Sequence, residues 1–134
     1  MFVAVGYGGR RLTSTDGVNW QNDASDAANG GDDDNLLRDV CVGRDAAGAR
    51  VFLAVGGSSI GRMKRTYDGT SWDQHVDNDG WLGGCAYGNG MFVAAGSSRS
   101  IRSVDGGDTL SDPPFQYVWQ IRDMAFGEGV FVAV

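Results

Sequence analysis

Phe2-Val3-Ala4-Val5-Gly6 returns as Phe52-Leu53-Ala54-Val55-Gly56, as Phe92-Val93-Ala94-Ala95-Gly96, and as Phe131-Val132-Ala133-Val134. The copies stand about 40–50 residues apart, a period that marks repeat architectures. Each copy is apolar at every position. That suits a strand buried on both faces, with Ala allowing close approach of a neighbouring layer.

Two further motifs keep a fixed order around this strand. Ser14-Thr15-Asp16-Gly17-Val18-Asn19-Trp20, Thr66-Tyr67-Asp68-Gly69-Thr70-Ser71-Trp72 and Ser103-Val104-Asp105-Gly106-Gly107-Asp108-Thr109-Leu110 follow the full copies. Leu37-Arg38-Asp39-Val40-Cys41-Val42-Gly43, Leu82-Gly83-Gly84-Cys85-Ala86-Tyr87-Gly88 and Ile121-Arg122-Asp123-Met124-Ala125-Phe126-Gly127 precede the later copies. Each unit therefore reads as four short strands, A to D. Gly88-Asn89-Gly90 makes the A–B hairpin turn. Phe-Val-Ala-Val is strand B, Arg11–Ser14 or Ser100–Ser103 is strand C, and strand D begins at the Trp. No segment carries a helical period. Four-stranded units of this length, packed face to face, predict an all-β, partial β-propeller. A β-sandwich has no need of such a period and ranks below it.

Counted by strand, the chain runs B-C-D, A-B-C-D, A-B-C-D, A-B, which is thirteen strands and about three blades, cut out of phase at both ends. The blade remnants are 1–30, 36–76, 81–112 and 119–134, in a single repeat domain. A propeller has about 4–8 blades. The expectation is a fragment of a larger propeller, or a protomer that completes a ring by self-association.

Composition narrows the function classes. The 134 residues hold 11 Lys+Arg and 17 Asp+Glu, a net charge of −6, which disfavours nucleic acid. Gly is frequent at 22 and Pro rare at 2, a profile of many tight turns. No apolar run approaches the roughly 20 residues of a membrane helix, so no membrane insertion is expected. Met1–Gly6 lacks the basic region of a signal peptide.

The Ser/Thr-x-Asp-Gly segments carry a resemblance. Ser103 to Thr109 resembles the Asp box, Ser-x-Asp-x-Gly-x-Thr-Trp, of sialidase-like propellers (BNR repeats). Ser14 to Trp20 and Thr66 to Trp72 resemble a form one residue tighter, and Leu110 replaces the Trp in the third copy. The Phe-Val-Ala-Val-Gly strand alternates with Asp boxes in many bacterial proteins of this kind, so the resemblance covers essentially the whole chain. It implies architecture more than activity, because the family spans sialidases, other glycosidases, sorting receptors and assembly factors. It also implies that the boxes lie on the face opposite an active site. Asp-box proteins are often extracellular.

Physically, Ser14, Asp16, Gly17 and Trp20, then Asp68, Gly69 and Trp72, then Ser103, Asp105 and Gly107, read as structural turn residues. The Asp and hydroxyl groups bond the turn backbone, Gly supplies positive φ, and the Trp tucks beneath. Three equivalent Asp residues around a ring stand too far apart to share one catalytic centre.

The candidate ligand-binding residues are Arg38, Asp39, Arg122 and Asp123, at the start of strand A, with Trp81 and Trp119 on the same loop-rich face as Phe115 and Tyr117. Arginines bind carboxylates through paired N–H groups, and aromatic faces suit sugar rings. The competing reading is a structural ion pair or solvated rim. The acidic stretch Asp23 to Asn35 offers carboxylates of the kind Ca²⁺ uses, yet matches no EF-hand spacing and reads as a solvated loop. Asp73, Asp77 and Asp79 echo it weakly. Arg62, Lys64 and Arg65 read as a solvated basic edge. Aligning Gly43 with Gly88 puts Cys41 and Cys85 on opposite strand faces, which argues against a disulfide. His75 is the sole histidine. No catalytic residue, metal site or cofactor is assigned. The expected function is a non-catalytic scaffold for glycans or other proteins. The alternative is a segment of a sialidase-like glycoside hydrolase, although no Phe/Tyr-Arg-Ile-Pro motif and no Tyr–Glu nucleophile pair can be placed.

Overall fold

The computed structural model describes residues 1–26, 35–77, 80–97, 99–112 and 120–134. Among them the chain is all-β, with no α-helix and one 3-10 turn at Tyr7–Gly9. No helix is long and apolar enough to cross a membrane. Four antiparallel sheets follow one another along the chain. The first holds β1 (Phe2–Val5), β2 (Arg11–Ser14) and β3 (Trp20–Ala24). The second holds β4 (Leu37–Arg44), β5 (Arg50–Gly56), β6 (Gly61–Thr66) and β7 (Asp73–Asp77). The third holds β8 (Leu82–Gly88), β9 (Met91–Gly96) and β10 (Ser100–Ser103), and the last holds β11 (Met124–Gly127) and β12 (Val130–Ala133).

Twelve strands are therefore described, against the thirteen expected. In the third sheet the described residues show one bridge beyond β10, Arg102 to Ser111, and residues 113–119 lie outside the described set. Within each sheet the order is the chain order, as short turns dictate. The β8–β9 turn has Asn89 at φ 50° and Gly90 at φ 75°. Two successive positive φ values match the twist of the flanking strands.

The sheets pack on one another through the apolar strands. Val51, Leu53, Val55 and Met63 of the second sheet meet Leu82, Cys85, Phe92, Ala94 and Ile101 of the third, all buried. Ala86, Val93 and Ala95 of the third meet Met124 and Phe131 of the last. Period-2 alternation thus gives each inner strand two buried sets, one per neighbouring sheet. Backbone bonds cross the junctions too: the Leu37 N–H donates to Gly6 O at 3.0 Å, and the Ile121 N–H to Gly96 O at 3.2 Å.

Three expectations need correction. Cys41 and Cys85 form a disulfide, with Cα atoms 5.8 Å apart. Their opposite facing is real, but stacked sheets bring opposite faces together, so opposite facing is what a bridge between sheets requires. Trp20 is not tucked away: it is 42% exposed. Its counterpart Trp72 is half-buried, with the Arg11 guanidinium of the first sheet 5.7 Å from its ring centroid. Trp20 belongs to the first of the four sheets, and the contact that Trp72 makes with a neighbouring sheet has no equivalent at Trp20 among the described residues. Lys64 is buried, not part of a solvated edge. Its ammonium lies 3.1 Å from Asp26 across the first junction, and the same carboxylate binds Arg11 of the first sheet at 2.7 Å.

Candidate functional site

Arg38 lies at the start of β4, where its exposed side chain is steered by a bond from Nε to Gly57 O at 3.1 Å. Arg122, also exposed, lies two residues before β11, and its N–H is tied to Val134 O at 2.6 Å. Trp81 precedes β8. Its carbonyl accepts the Ser97 N–H at 2.9 Å. That crossing is tight: a Cβ on Gly96 would stand 1.9 Å from the Trp81 oxygen, so only Gly fits there. The glycine that ends the Phe-x-Ala-x-Gly strand thus fixes the backbone beneath the indole.

The three side chains converge. The Arg38 guanidinium carbon lies 4.7 Å from the Trp81 ring centroid, and that of Arg122 lies 5.3 Å from the same ring. Trp81 is half-buried. Each cation–π contact at such a site contributes about 0.5–1 kcal/mol. One aromatic ring therefore holds two cations from two different sheets. Guanidinium N–H groups of this kind are donors that suit an acidic group.

Asp39 is occupied differently. Its Oδ1 accepts the Val40 N–H at 2.7 Å, and its Oδ2 accepts the Cys85 N–H of the neighbouring sheet at 2.8 Å. Asp123 repeats the first of these bonds, with Oδ1 2.8 Å from the Met124 nitrogen. Sequence reasoning grouped both carboxylates with the arginines beside them. The register shifts between Leu37 and Asp39, a β-bulge that leaves Arg38 out of the pairing while Asp39 stays in it opposite Val55. Trp119, Phe115 and Tyr117 lie outside the described residues, as do 27–34 of the acidic stretch and Asp79. Asp23 of that stretch pairs with Arg10, and Asp73 accepts from Arg65. Among the described residues no group of three or more His, Cys, Asp or Glu is placed to hold a metal ion.

The Ser/Thr-x-Asp-Gly turns share one geometry. Ser14 Oγ accepts the Gly17 N–H at 2.8 Å, Thr66 Oγ1 the Gly69 N–H at 2.8 Å, and Ser103 Oγ the Gly107 N–H at 2.7 Å. Asp16 Oδ1 accepts from the N–H of Val18 and Asn19, and Asp68 Oδ1 from Thr70 and Ser71. Gly17, Gly69 and Gly106 hold φ of 79°, 78° and 78°. The Asn19 N–H chiefly, with the Asn19 amide, the Val18 N–H and the Ser14 hydroxyl, holds Asp16 far below the usual carboxylate range. The Ser71 and Thr70 N–H groups do the same for Asp68. Partial burial pushes Asp105 upward, but Thr109 and Ser103 outweigh it and lower its pKa to about 2. These carboxylates are turn acceptors and remain ionised, which suits neither a general acid nor a general base near neutral pH.

Sequence reasoning missed the Arg11–Asp26–Lys64 cluster. Burial opposes the Asp26 charge, and Arg11 and Lys64 restore it, leaving its pKa lowered; burial outweighs Asp26 at Lys64 and lowers that pKa too. The signal was present in the alternation of β6, where Lys64 shares a side with Thr66 and both are buried.

Compared with known proteins, the chain matches no protein-family model, and neither a curated protein nor a solved structure is similar to it.

Proposed function

We propose that the chain is part of a β-propeller of Asp-box type and works as a non-catalytic binding scaffold. Its ligand face is built on Arg38, Trp81 and Arg122, and the ligand is an acidic group on a glycan or a protein. The observation that carries this reading is the pair of guanidinium groups, from two sheets, over one indole. Two cations gathered at one indole suit a carboxylate-bearing ligand. Support for the propeller comes from sheets that follow chain order and pack face to face, with the Ser/Thr-x-Asp-Gly turns alike in three of them. The hydrolase reading has less support, because both oxygens of Asp39 accept backbone N–H groups.

The test is a binding screen with sialylated and uronic-acid glycans against neutral ones, read by glycan array and calorimetry. Acidic glycans should bind, and Arg38→Ala, Arg122→Ala and Trp81→Ala should each weaken binding by about tenfold or more, the scale of one lost charge-assisted contact. Equal binding of neutral glycans, or indifference to all three substitutions, overturns the reading.

A further inference from the structure

We infer that the Cys41–Cys85 disulfide sets the contact of Arg38 with Trp81, so that a dithiol reductant which opens the bridge weakens binding of an acidic ligand there. The inference rests on the reading of Arg38, Trp81 and Arg122 as a ligand face, and it names the regulation of that site.

The bridge and the face share two strands. Arg38 and Cys41 both belong to β4, while Trp81 immediately precedes β8, which carries Cys85. Each side chain is tied to its own sheet. Arg38 Nε donates to Gly57 O at 3.1 Å, just beyond β5, and the Trp81 carbonyl accepts the Ser97 N–H at 2.9 Å, just beyond β9. The 4.7 Å between the Arg38 guanidinium carbon and the Trp81 ring centroid therefore follows how the second sheet sits on the third. The disulfide clamps that spacing, and so does the bond from the Cys85 N–H to Asp39 Oδ2 at 2.8 Å, whose donor belongs to the bridged cysteine itself. The bulge between Leu37 and Asp39 leaves Arg38 outside the pairing with β5, so the β4–β5 ladder does not hold its backbone.

Arg122 reaches the same ring by another route. The Ile121 N–H beside it donates to Gly96 O at 3.2 Å, and Gly84 lets the backbone come close, since a Cβ there would lie 2.7 Å from the Met124 nitrogen. Neither contact involves a cysteine sulfur. Opening the bridge releases one cation of the pair and leaves the other in place.

The exchange takes two electrons and two protons from the dithiol. One of its thiolates attacks Sγ of Cys41, the half-buried partner, and forms a mixed disulfide with it; the buried Cys85 Sγ leaves and takes a proton. The second thiol of the reductant then displaces Cys41, which also ends as a thiol, and the reductant ends as its own disulfide. Leu53 O lies 3.6 Å from Cys41 Sγ and 3.5 Å from Cys85 Sγ, so a new S–H finds an acceptor where it forms. The apolar contact of Val51, Leu53 and Val55 with Leu82 and Phe92 holds the two sheets together without the bridge.

Two measurements on the 134-residue chain, oxidised and after dithiothreitol, test this. The first needs no ligand. The Trp81 indole N–H resonance, assigned by its loss in Trp81→Phe, should shift on reduction. That shift should largely vanish in Arg38→Ala and persist in Arg122→Ala. The second is calorimetry with sialyllactose as the acidic probe and lactose as the neutral control. Reduction should weaken sialyllactose binding about tenfold, the scale of one lost charge-assisted contact. In the reduced protein Arg38→Ala should weaken it no further, whereas Arg122→Ala should. By linkage, saturating sialyllactose should lower the reduction potential of the bridge by about 30 mV, the two-electron equivalent of tenfold. An unmoved Trp81 resonance in the reduced protein overturns the inference, as does an equal shift in Arg38→Ala and the native chain. So does equal sialyllactose binding by the two forms, or loss of the β-sheet circular dichroism on reduction. Sialyllactose bound by neither form removes the ligand-face reading, and the Trp81 resonance alone then decides whether the bridge sets the Arg38 contact.

Discussion

Asp39 and Cys85 are joined across a sheet junction: the Asp39 Oδ2 accepts the Cys85 N–H at 2.8 Å. The bond depends on what the third sheet lacks. The residue before Cys85 is Gly84, which takes the place that Asp39 and Asp123 occupy in their own strands. Val40 and Met124 each donate to the aspartate preceding them, whereas Cys85 has no such neighbour and uses the aspartate of the sheet before it. Gly84 also lets the last sheet close in, since a Cβ there would lie 2.7 Å from the Met124 nitrogen. The break in the Arg-Asp pattern at Gly83-Gly84 is therefore a compensation in packing, and its origin is steric.

Asp39→Ala leaves the Cys85 N–H without its acceptor beside the core. A half-buried N–H that loses a charged acceptor costs about 1–3 kcal/mol. Urea melts should show a lower midpoint with an unchanged slope. Asp123→Ala, whose carboxylate accepts the Met124 N–H of its own strand, should cost less. Equal losses would remove the special role of Asp39.

The Cys41–Cys85 disulfide closes a sequence separation of 44 residues. Loop-closure entropy of that length stabilises by about 4 kcal/mol in the chain-entropy account. The native protein should show no free thiol by reagent titration until unfolded with reductant, and Cys41→Ala/Cys85→Ala should melt well below it. Two titratable thiols in the folded, oxidised protein would contradict the pairing. Persistent pairing also requires an oxidising compartment during folding.

What the sequence disclosed, and what it withheld, divides by range. The strands around Phe52 and Phe92 and the turns at Asp16, Asp68 and Asp105 were legible because their determinants sit within a few residues: alternation, an Asn-Gly turn, an Asp beside the N–H groups it accepts. The Cys41–Cys85 bond, the burial of Lys64 and the exposure of Trp20 were not. Each depends on which sheet faces which, and facing within a strand says nothing of the neighbour until the stack is known. The same holds at the candidate site. Arg38 and Arg122 were readable as matching positions, but their meeting over Trp81 needs two sheets to be adjacent, and the backbone role of Asp39 needs a glycine 45 residues further along.

Acid should unfold the protein through the turn carboxylates. Asp16, Asp68 and Asp105 all titrate lower when folded, Asp105 at about 2. Unfolded Asp titrates at about 3.9. Between these values the unfolded chain binds more protons, so stability rises with pH across that window. The stabilisation is complete above about pH 5 and declines as pH falls from about 4 toward 2. The magnitude is modest because the groups are exposed and screened. Asp105→Asn should flatten the decline measured by thermal melts between pH 5 and 2.5. A melting temperature equally steep in native protein and variant would show that other groups drive acid unfolding.

Trp72 and Trp20 occupy matching positions and should respond differently to truncation. Trp72 is half-buried between its own turn, where Nε1 donates to Gly69 O at 3.2 Å, and Arg11 of the preceding sheet. Removing it uncovers Arg11, whose guanidinium holds Asp26 together with Lys64. Full burial of a Trp sets a loss of about 3–5 kcal/mol on truncation to Ala, and half-burial places Trp72→Ala near the low end, about 3 kcal/mol. Trp20 is the more exposed of the two, at 42%, so Trp20→Ala should cost less, about 1 kcal/mol. The two variants should be compared side by side by urea denaturation. Equal losses would mean that the turn, and not the neighbouring sheet, sets the value of the indole.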